Sequence, residues 1–166
     1  FNHHPSTPNL THFFNEALSG TQFHSIDAVT SRRDLSSQIT LFIQEQTSPF
    51  ILFVNLTGAE YVGRRYREGC QLYSKEIQGY DRFLRSIIAT LKSKKMWHNT
   101  HVVVSTSYGF TPKTNQHDHV TESFIAATFP IRYKGTQMDI VPTLFRLYKI
   151  PWASFKPKLP GKPLIY

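Results

Sequence analysis

The side chains with the widest chemical capacity follow a valine-rich stretch, residues 102–104, in the second half of the chain. Successive β-branched residues suit a pleated, buried surface, so this stretch is predicted to be a strand. Ser107 and Tyr108 stand at its end, Gly109 allows the backbone to turn, and residues 117–119 read His-Asp-His. Because open α/β sheets place their chemistry beyond the carboxyl ends of strands, we expect a functional site in this loop.

The residue types in this loop limit which metal they can hold. Imidazole and carboxylate groups are zinc ligands, but a site needs three or four of them. We interpret His117 and His119 as loop residues that hydrogen-bond locally, with a lone zinc site as the alternative. Ser107 is a weak neutral ligand and Tyr108 ligates only when deprotonated, so the strand end lacks good ligands for a hard metal or zinc.

Hydrophobic periodicity predicts the elements that position these residues. Strands are predicted at 21–26, 50–56, 101–105 and 123–129, helices at 31–46, 71–94 and 137–148, and a glycine-containing loop at 57–69. The strand at 50–56 is apolar on both faces, as expected for a parallel sheet covered on both sides. The order of these strands and helices along the chain predicts an α/β fold with a mostly parallel sheet and helices on both faces. Strands 50–56 and 101–105 are expected to be adjacent and parallel, with helix 71–94 as their crossover.

Length, net charge and cysteine content limit the class of protein to which the chain can belong. The 166 residues suit one domain with a substantial core, and Lys plus Arg exceed Asp plus Glu by 19 − 11 = 8. The basic residues are dispersed, so we interpret most of them as solvated, with contact to nucleic acid or acidic subunits as the alternative. A single cysteine, Cys70, excludes a disulfide within the chain and favours a reducing compartment. No apolar run reaches membrane-spanning length.

Three motifs resemble those of one enzyme superfamily. Residues 102–110, VVVSTSYGF, resemble the VVVTSDHGF-type motif of the alkaline phosphatase and sulfatase superfamily, which includes nucleotide pyrophosphatases and GPI ethanolamine-phosphate transferases. Residues 139–151, DIVPTLFRLYKIP, are similar to its D-I-x-P-T-L-x-x-L-x-G-I-P run, and residues 161–164 resemble the G-x-S-L segment after it. The resemblance implies the carboxyl-terminal part of such a domain at 48–166, after an amino-terminal arm and helix at 1–47.

The resemblance also implies a degenerate metal site. The family's D-x-x-G-H pattern aligns with residues 60–64, so Glu60 stands at a metal-binding Asp and Arg64 at a ligand His. Ser107 and Tyr108 stand where metal-dependent members have an Asp-His pair, and His117 or His119 corresponds to the histidine that follows. A guanidinium group has no lone pair to donate and stays protonated, so it cannot replace the imidazole.

These departures predict a pseudoenzyme with no catalytic residue, no bound metal and no cofactor. No segment before residue 48 resembles the family's nucleophile strand, which supports the same expectation. An alternative function of the site is to bind an anion through Arg64, Arg65 and Arg67, since the forked guanidinium group suits phosphate and carboxylate.

The expected role is therefore that of a structural or accessory subunit in a larger assembly of proteins. We expect that assembly in the mitochondrion, with the secretory pathway as the alternative compartment. Two other functions stay open: a metal-dependent phospho- or sulfo-ester hydrolase or transferase completed by another chain, and a nucleic-acid-binding subunit, for example of a ribosome.

Overall fold

The computed structural model describes residues 22–27, 32–118, 120, 122–151, 158 and 160–166. They belong to two compact units, which we treat separately. The first contains the described residues up to His98 together with Pro112–Asn115, and the second contains those of Asn99–Thr111 and Gln116–Tyr166. Most of the predicted amino-terminal arm lies outside the described residues. The predicted boundary between residues 47 and 48 stays a prediction.

The first unit combines a parallel strand pair with three helices. Its elements are β1 at Gln22–Asp27, α1 at Arg32–Glu45, β2 at Phe50–Asn55, α2 at Gly58–Tyr66 and α3 at Gln71–Ser93. β1 pairs with β2 in parallel, with Gln22 opposite Phe50 and Asp27 opposite Asn55. The predicted strands and the helices at 31–46 and 71–94 are confirmed to within two residues.

The core of the first unit lies between α1 and α3. Its buried apolar side chains are Leu35, Ile39, Ile43, Phe83 and Leu91. The three from α1 are spaced by four residues, so they share the face turned to α3. A hydrogen bond of 3.0 Å between the hydroxyls of Ser36 and Ser86 joins the same two helices. Among the described helices, none is long and apolar enough to cross a membrane.

Helix α2 corrects the loop predicted at 57–69. The glycines that suggested a loop serve the helix instead. Gly58 lies at its first turn, where a Cβ would collide with the Glu76 carboxylate of α3, and the Ala59 N–H donates to the Tyr80 hydroxyl at 2.7 Å. Gly69 lies beyond the helix end, with a φ of +76°. Glycine therefore permits close packing of α2 on α3 rather than breaking the helix.

The second unit contains an antiparallel strand pair and one helix. β3 at Val103–Ser105 pairs with β4 at Ile125–Ala127, with Val104 opposite Ala126. A 3₁₀ turn at Gln137–Asp139 leads into α4 at Ile140–Leu147. The α/β fold class is confirmed. Among the described residues β2 pairs with β1 and β3 with β4. Strands 50–56 and 101–105 belong to different units, so their predicted parallel pairing stays a prediction.

The core of the second unit is organised by a buried carboxylate. Asp139 accepts hydrogen bonds from the Thr136 N–H at 2.5 Å, the Thr136 hydroxyl at 3.1 Å and the Lys162 N–H at 2.6 Å. The Thr143 hydroxyl donates to the Asp139 carbonyl at 2.6 Å and accepts from the Leu164 N–H at 2.8 Å. These bonds attach residues 162–164 to the start of α4. We call this network the Asp139 clasp.

The clasp favours the ionised carboxylate. Hydrogen bonds from the Thr136 and Lys162 backbone N–H groups hold the pKa of Asp139 below its usual range. Burial acts in the opposite direction and is outweighed. Asp139 is therefore a structural anion, although it lies in one of the motifs that resemble the enzyme family.

Candidate functional site

The residues predicted for the site divide between the two units. Glu60, Arg64, Arg65 and Arg67 belong to the first unit, and Ser107, Tyr108 and His117 belong to the second. His119 lies outside the described residues. Within the first unit the structure joins Glu60 to Arg64, and within the second it joins Tyr108 to His117.

Glu60 and Arg64 form an ion pair on the surface of α2. The Arg64 Nε atom lies 2.8 Å from the Glu60 Oε1 atom, and the two residues are one helical turn apart. Their side chains are 56% and 36% exposed, so water screens the attraction. The carboxylate that stands at a family metal position thus faces a guanidinium group, which cannot share a metal ion with it.

A loop segment from later in the chain is fastened to the carboxyl end of α2. The Glu68 N–H donates to the Thr114 carbonyl at 2.7 Å, and the Glu68 carboxylate accepts from the Lys113 N–H at 2.8 Å. The Asn115 side chain donates to the Arg64 carbonyl at 3.3 Å. These contacts hold the Lys113 backbone at Glu68, two residues beyond the end of α2.

Two tyrosines of α2 surround Arg65. The Arg65 Nε–H donates to the Tyr66 hydroxyl at 3.1 Å, and its guanidinium lies 5.7 Å from the centre of the Tyr66 ring. Tyr61, one turn before Arg65, is 63% exposed. Sequence reasoning missed Tyr61, Tyr66 and Lys113. The helical spacing of Glu60 with Arg64 and of Tyr61 with Arg65 was the available signal.

His117 in the second unit is enclosed by aromatic rings. Its ring centre lies 4.6 Å from that of Tyr108 and 4.1 Å from that of Phe110. Its Nδ1 atom is 2.5 Å from the Gly109 carbonyl oxygen, so Nδ1 donates and the neutral ring carries its lone pair on Nε2. Nε2 is buried without a hydrogen-bond partner among the described residues. The predicted local hydrogen bond of His117 is therefore confirmed.

The residues present do not fit a catalytic metal pair. Such a site needs about six oxygen or nitrogen ligands. Ser107 and Tyr108 are exposed hydroxyls, Tyr108 packs its ring against His117, and Arg64 supplies a positive charge in place of a lone pair. In the described ranges no three His, Cys, Asp or Glu side chains converge on one point that could hold a metal ion.

Comparison with known proteins identifies the family. No curated protein matches the chain in a sequence search. Residues 9–148 match the family model of the type I phosphodiesterase / nucleotide pyrophosphatase family. The crystal structure of Ps i-CgsB in complex with k-i-k-neocarrahexaose has a similar fold, with a TM-score of 0.59 at 14% sequence identity. That match covers 79% of this chain and 36% of the solved chain, so this chain spans about a third of its length. The chain therefore belongs to the type I phosphodiesterase / nucleotide pyrophosphatase family and contains a partial alkaline-phosphatase/sulfatase-like domain.

Proposed function

We propose that this protein is a non-catalytic member of its family that serves as a structural or accessory subunit of a larger assembly. The observation that carries the proposal is the ion pair between Arg64 and Glu60, at two positions where the family pattern has metal ligands. A cation bound to the Glu60 carboxylate would lie beside the positive guanidinium group of Arg64. The arrangement therefore opposes the charge that the family's chemistry requires.

The second unit supports the same conclusion from different chemistry. Ser107 and Tyr108 stand at the positions of the Asp-His pair and offer hydroxyl groups in place of carboxylate and imidazole. The remaining imidazole, His117, uses Nδ1 for the Gly109 carbonyl and buries Nε2 between rings. Its lone pair is not presented to solvent, so a metal ion would have to displace the aromatic packing to reach it.

Exposed apolar side chains support a role in an assembly. In the first unit they include Leu41, Phe53, Tyr61, Leu72 and Ile77, and in the second Phe124, Tyr133, Met138, Val141 and Tyr166. Phe53 is notable because it lies on β2 and is 50% exposed, although its strand has the composition of a buried one. Exposed apolar surface on a folded chain is typical of protein interfaces when it is contiguous and large. We place the assembly in the mitochondrion, since a single cysteine suits a reducing compartment.

The metal chemistry can be tested on the full-length protein. We expect no stoichiometric Zn, Mg, Mn or Ca by elemental analysis, and no hydrolysis of nitrophenyl phosphate, phosphodiester or sulfate with these ions added. The positive control is a zinc-dependent phosphodiesterase assayed in parallel with the same substrates and ions. Two equivalents of metal on the wild type, with hydrolysis that a chelator abolishes, would contradict the proposal.

The assembly role can be tested in cells that lack the protein. We expect less of the assembled complex on a native gel than in wild-type cells, where the complex and the protein itself should both lie in the mitochondrial fraction. Wild type and the metal-position variant S107A should restore the complex equally, because assembly does not use that hydroxyl. Equal amounts of complex with and without the protein would rule out a structural role.

A further inference from the structure

Exposed basic and aromatic side chains of the first unit lie along α2, at the residue that ends it and on the loop fastened there. We call this set of side chains the arginine–tyrosine surface, and its members are Tyr61, Arg64, Arg65, Tyr66, Arg67 and Lys113. All six side chains are exposed. Four cationic groups outnumber the two carboxylates of the same region, Glu60 and Glu68, so the surface carries a net positive charge of two.

Hydrogen bonds hold in place the loop that contributes Lys113 to this surface. The Glu68 carboxylate accepts from the Lys113 N–H at 2.8 Å, and the Glu68 N–H donates to the Thr114 carbonyl at 2.7 Å. Both bonds use backbone groups of residues 113–114. They therefore fix the loop backbone while the Lys113 side chain stays exposed.

Two of the basic residues occupy backbone conformations that favour glycine. Arg67 has a φ of 74° and a ψ of 153°, and Lys113 has a φ of 62°. The Arg67 N–H donates to the Gly63 carbonyl at 2.8 Å, so its backbone conformation ends the helix. Both side chains are exposed, so their charged groups are accessible to a partner.

We propose that the arginine–tyrosine surface docks an acidic segment of a partner protein, an inference that rests on the proposed role in an assembly. Guanidinium groups bind carboxylates through two parallel hydrogen bonds, and arginine and tyrosine are enriched where protein interfaces concentrate their binding energy. The Tyr66 hydroxyl and ring already orient Arg65, which lowers the entropy lost when its guanidinium is bound.

The distribution of charge favours a protein over a nucleic acid. Glu60 precedes the arginine cluster by four residues in the sequence, and Glu68 directly follows it. A nucleic acid presents a continuous row of phosphates, some of which would face these carboxylates. An acidic protein segment has discrete carboxylates with neutral residues between them, so its charges can match the arginines and avoid Glu60 and Glu68.

The test uses the full-length protein with two labelled probes, a peptide in which glutamates alternate with alanines and an oligouridylate of equal charge, and binding is measured by fluorescence anisotropy. We expect the peptide to bind more tightly, and R65Q/R67Q to weaken its binding by about tenfold, since two charge-assisted contacts are lost. R82Q/R85Q is the matched control, because it neutralises two exposed arginines of α3 and should change the affinity less than about twofold. Circular dichroism should show that both variants keep the fold.

Three outcomes would overturn the proposal. The peptide does not bind, or R82Q/R85Q weakens it as much as R65Q/R67Q, in which case overall charge is responsible. The third is tighter binding of the oligouridylate with the same dependence on Arg65 and Arg67, which indicates a nucleic-acid site. None of these results changes the metal content or the hydrolysis assay, so failure of the docking surface is distinguishable from failure of the non-catalytic proposal.

Discussion

Two acidic residues at positions of the family's motifs, Glu60 and Asp139, have opposite surroundings. Glu60 lies on α2, is 36% exposed in its side chain and faces one exposed arginine. Asp139 is 9% exposed and accepts hydrogen bonds from Thr136 and Lys162. The motif that departs from the family pattern is solvated, whereas the motif that matches it holds a core together. One motif of the family can therefore keep its role in folding in a chain whose metal-binding motif has changed.

The largest expected effect comes from removing the buried carboxylate. Replacing Asp139 by alanine leaves the Thr136 and Lys162 N–H groups without their acceptor, so we expect the free energy of unfolding to fall by about 2–4 kcal/mol. The control is Asp81→Ala, which removes a surface carboxylate with a 58% exposed side chain and should cost less than about 0.5 kcal/mol. Urea denaturation measures both. Equal losses would show that the clasp is no more important than a surface ion pair.

A second prediction uses the glycine that lets the tail approach the clasp. Gly161 has a φ of +91°, and a Cβ there would collide with the Met138 carbonyl oxygen. Gly69 also has a positive φ, +76°, but a Cβ there would have no neighbour within 4 Å. Gly69→Ala should therefore cost about 1–2 kcal/mol for backbone conformation alone, and Gly161→Ala should cost more. Thermal unfolding of the two variants gives the difference, and a smaller loss at Gly161 would contradict the geometry of the clasp.

A third prediction concerns pH. Hydrogen bonds from Thr136 and Lys162 lower the pKa of Asp139, so its contribution to stability is complete above the unfolded-state pKa, about 3.9. That contribution is lost as the pH falls through the lower pKa of the folded state. Asp139→Asn should therefore be less stable than wild type near neutral pH, and the gap should narrow below about pH 4. Urea denaturation across this range measures it, and a constant gap would mean that the charge of Asp139 does not contribute.

The sequence predicted the elements whose pattern is local. Leu35, Ile39 and Ile43 recur at helical spacing, and they do form the buried face of α1. Three glycines in thirteen residues concealed α2, because composition does not reveal that Gly58 packs against α3. Asp139 and Lys162 both lie in motifs that the sequence shows. The hydrogen bond that joins them spans 23 positions, and no periodicity of the sequence predicts it.

Local patterns do not select strand partners, and they did not reveal the loop of the candidate site. Residues 50–56 and 101–105 are both apolar, so either strand suits several neighbours, and composition cannot select one. The substitution of Arg64 for a ligand was visible once the motif was aligned. The hydrogen bond between Lys113 and Glu68 joins residues 45 positions apart, so the sequence pattern did not predict it. Lys113 was therefore missed as a member of the arginine–tyrosine surface.

The smallest predicted effect concerns the exposed ion pair between Glu60 and Arg64. Glu60–Arg64 and Asp81–Arg85 are both exposed ion pairs one helical turn apart, at 2.8 Å in each case, on α2 and α3 of the same unit. Double-mutant cycles to alanine should give coupling energies of about 0.3–0.5 kcal/mol for both pairs, because water screens each of them. Urea denaturation of the single and double variants measures the coupling. A Glu60–Arg64 coupling several times larger than that of Asp81–Arg85 would mean that Arg64 is needed to hold α2 in place. Arg64 would then contribute to the stability of α2 in addition to placing a positive charge at a metal-ligand position.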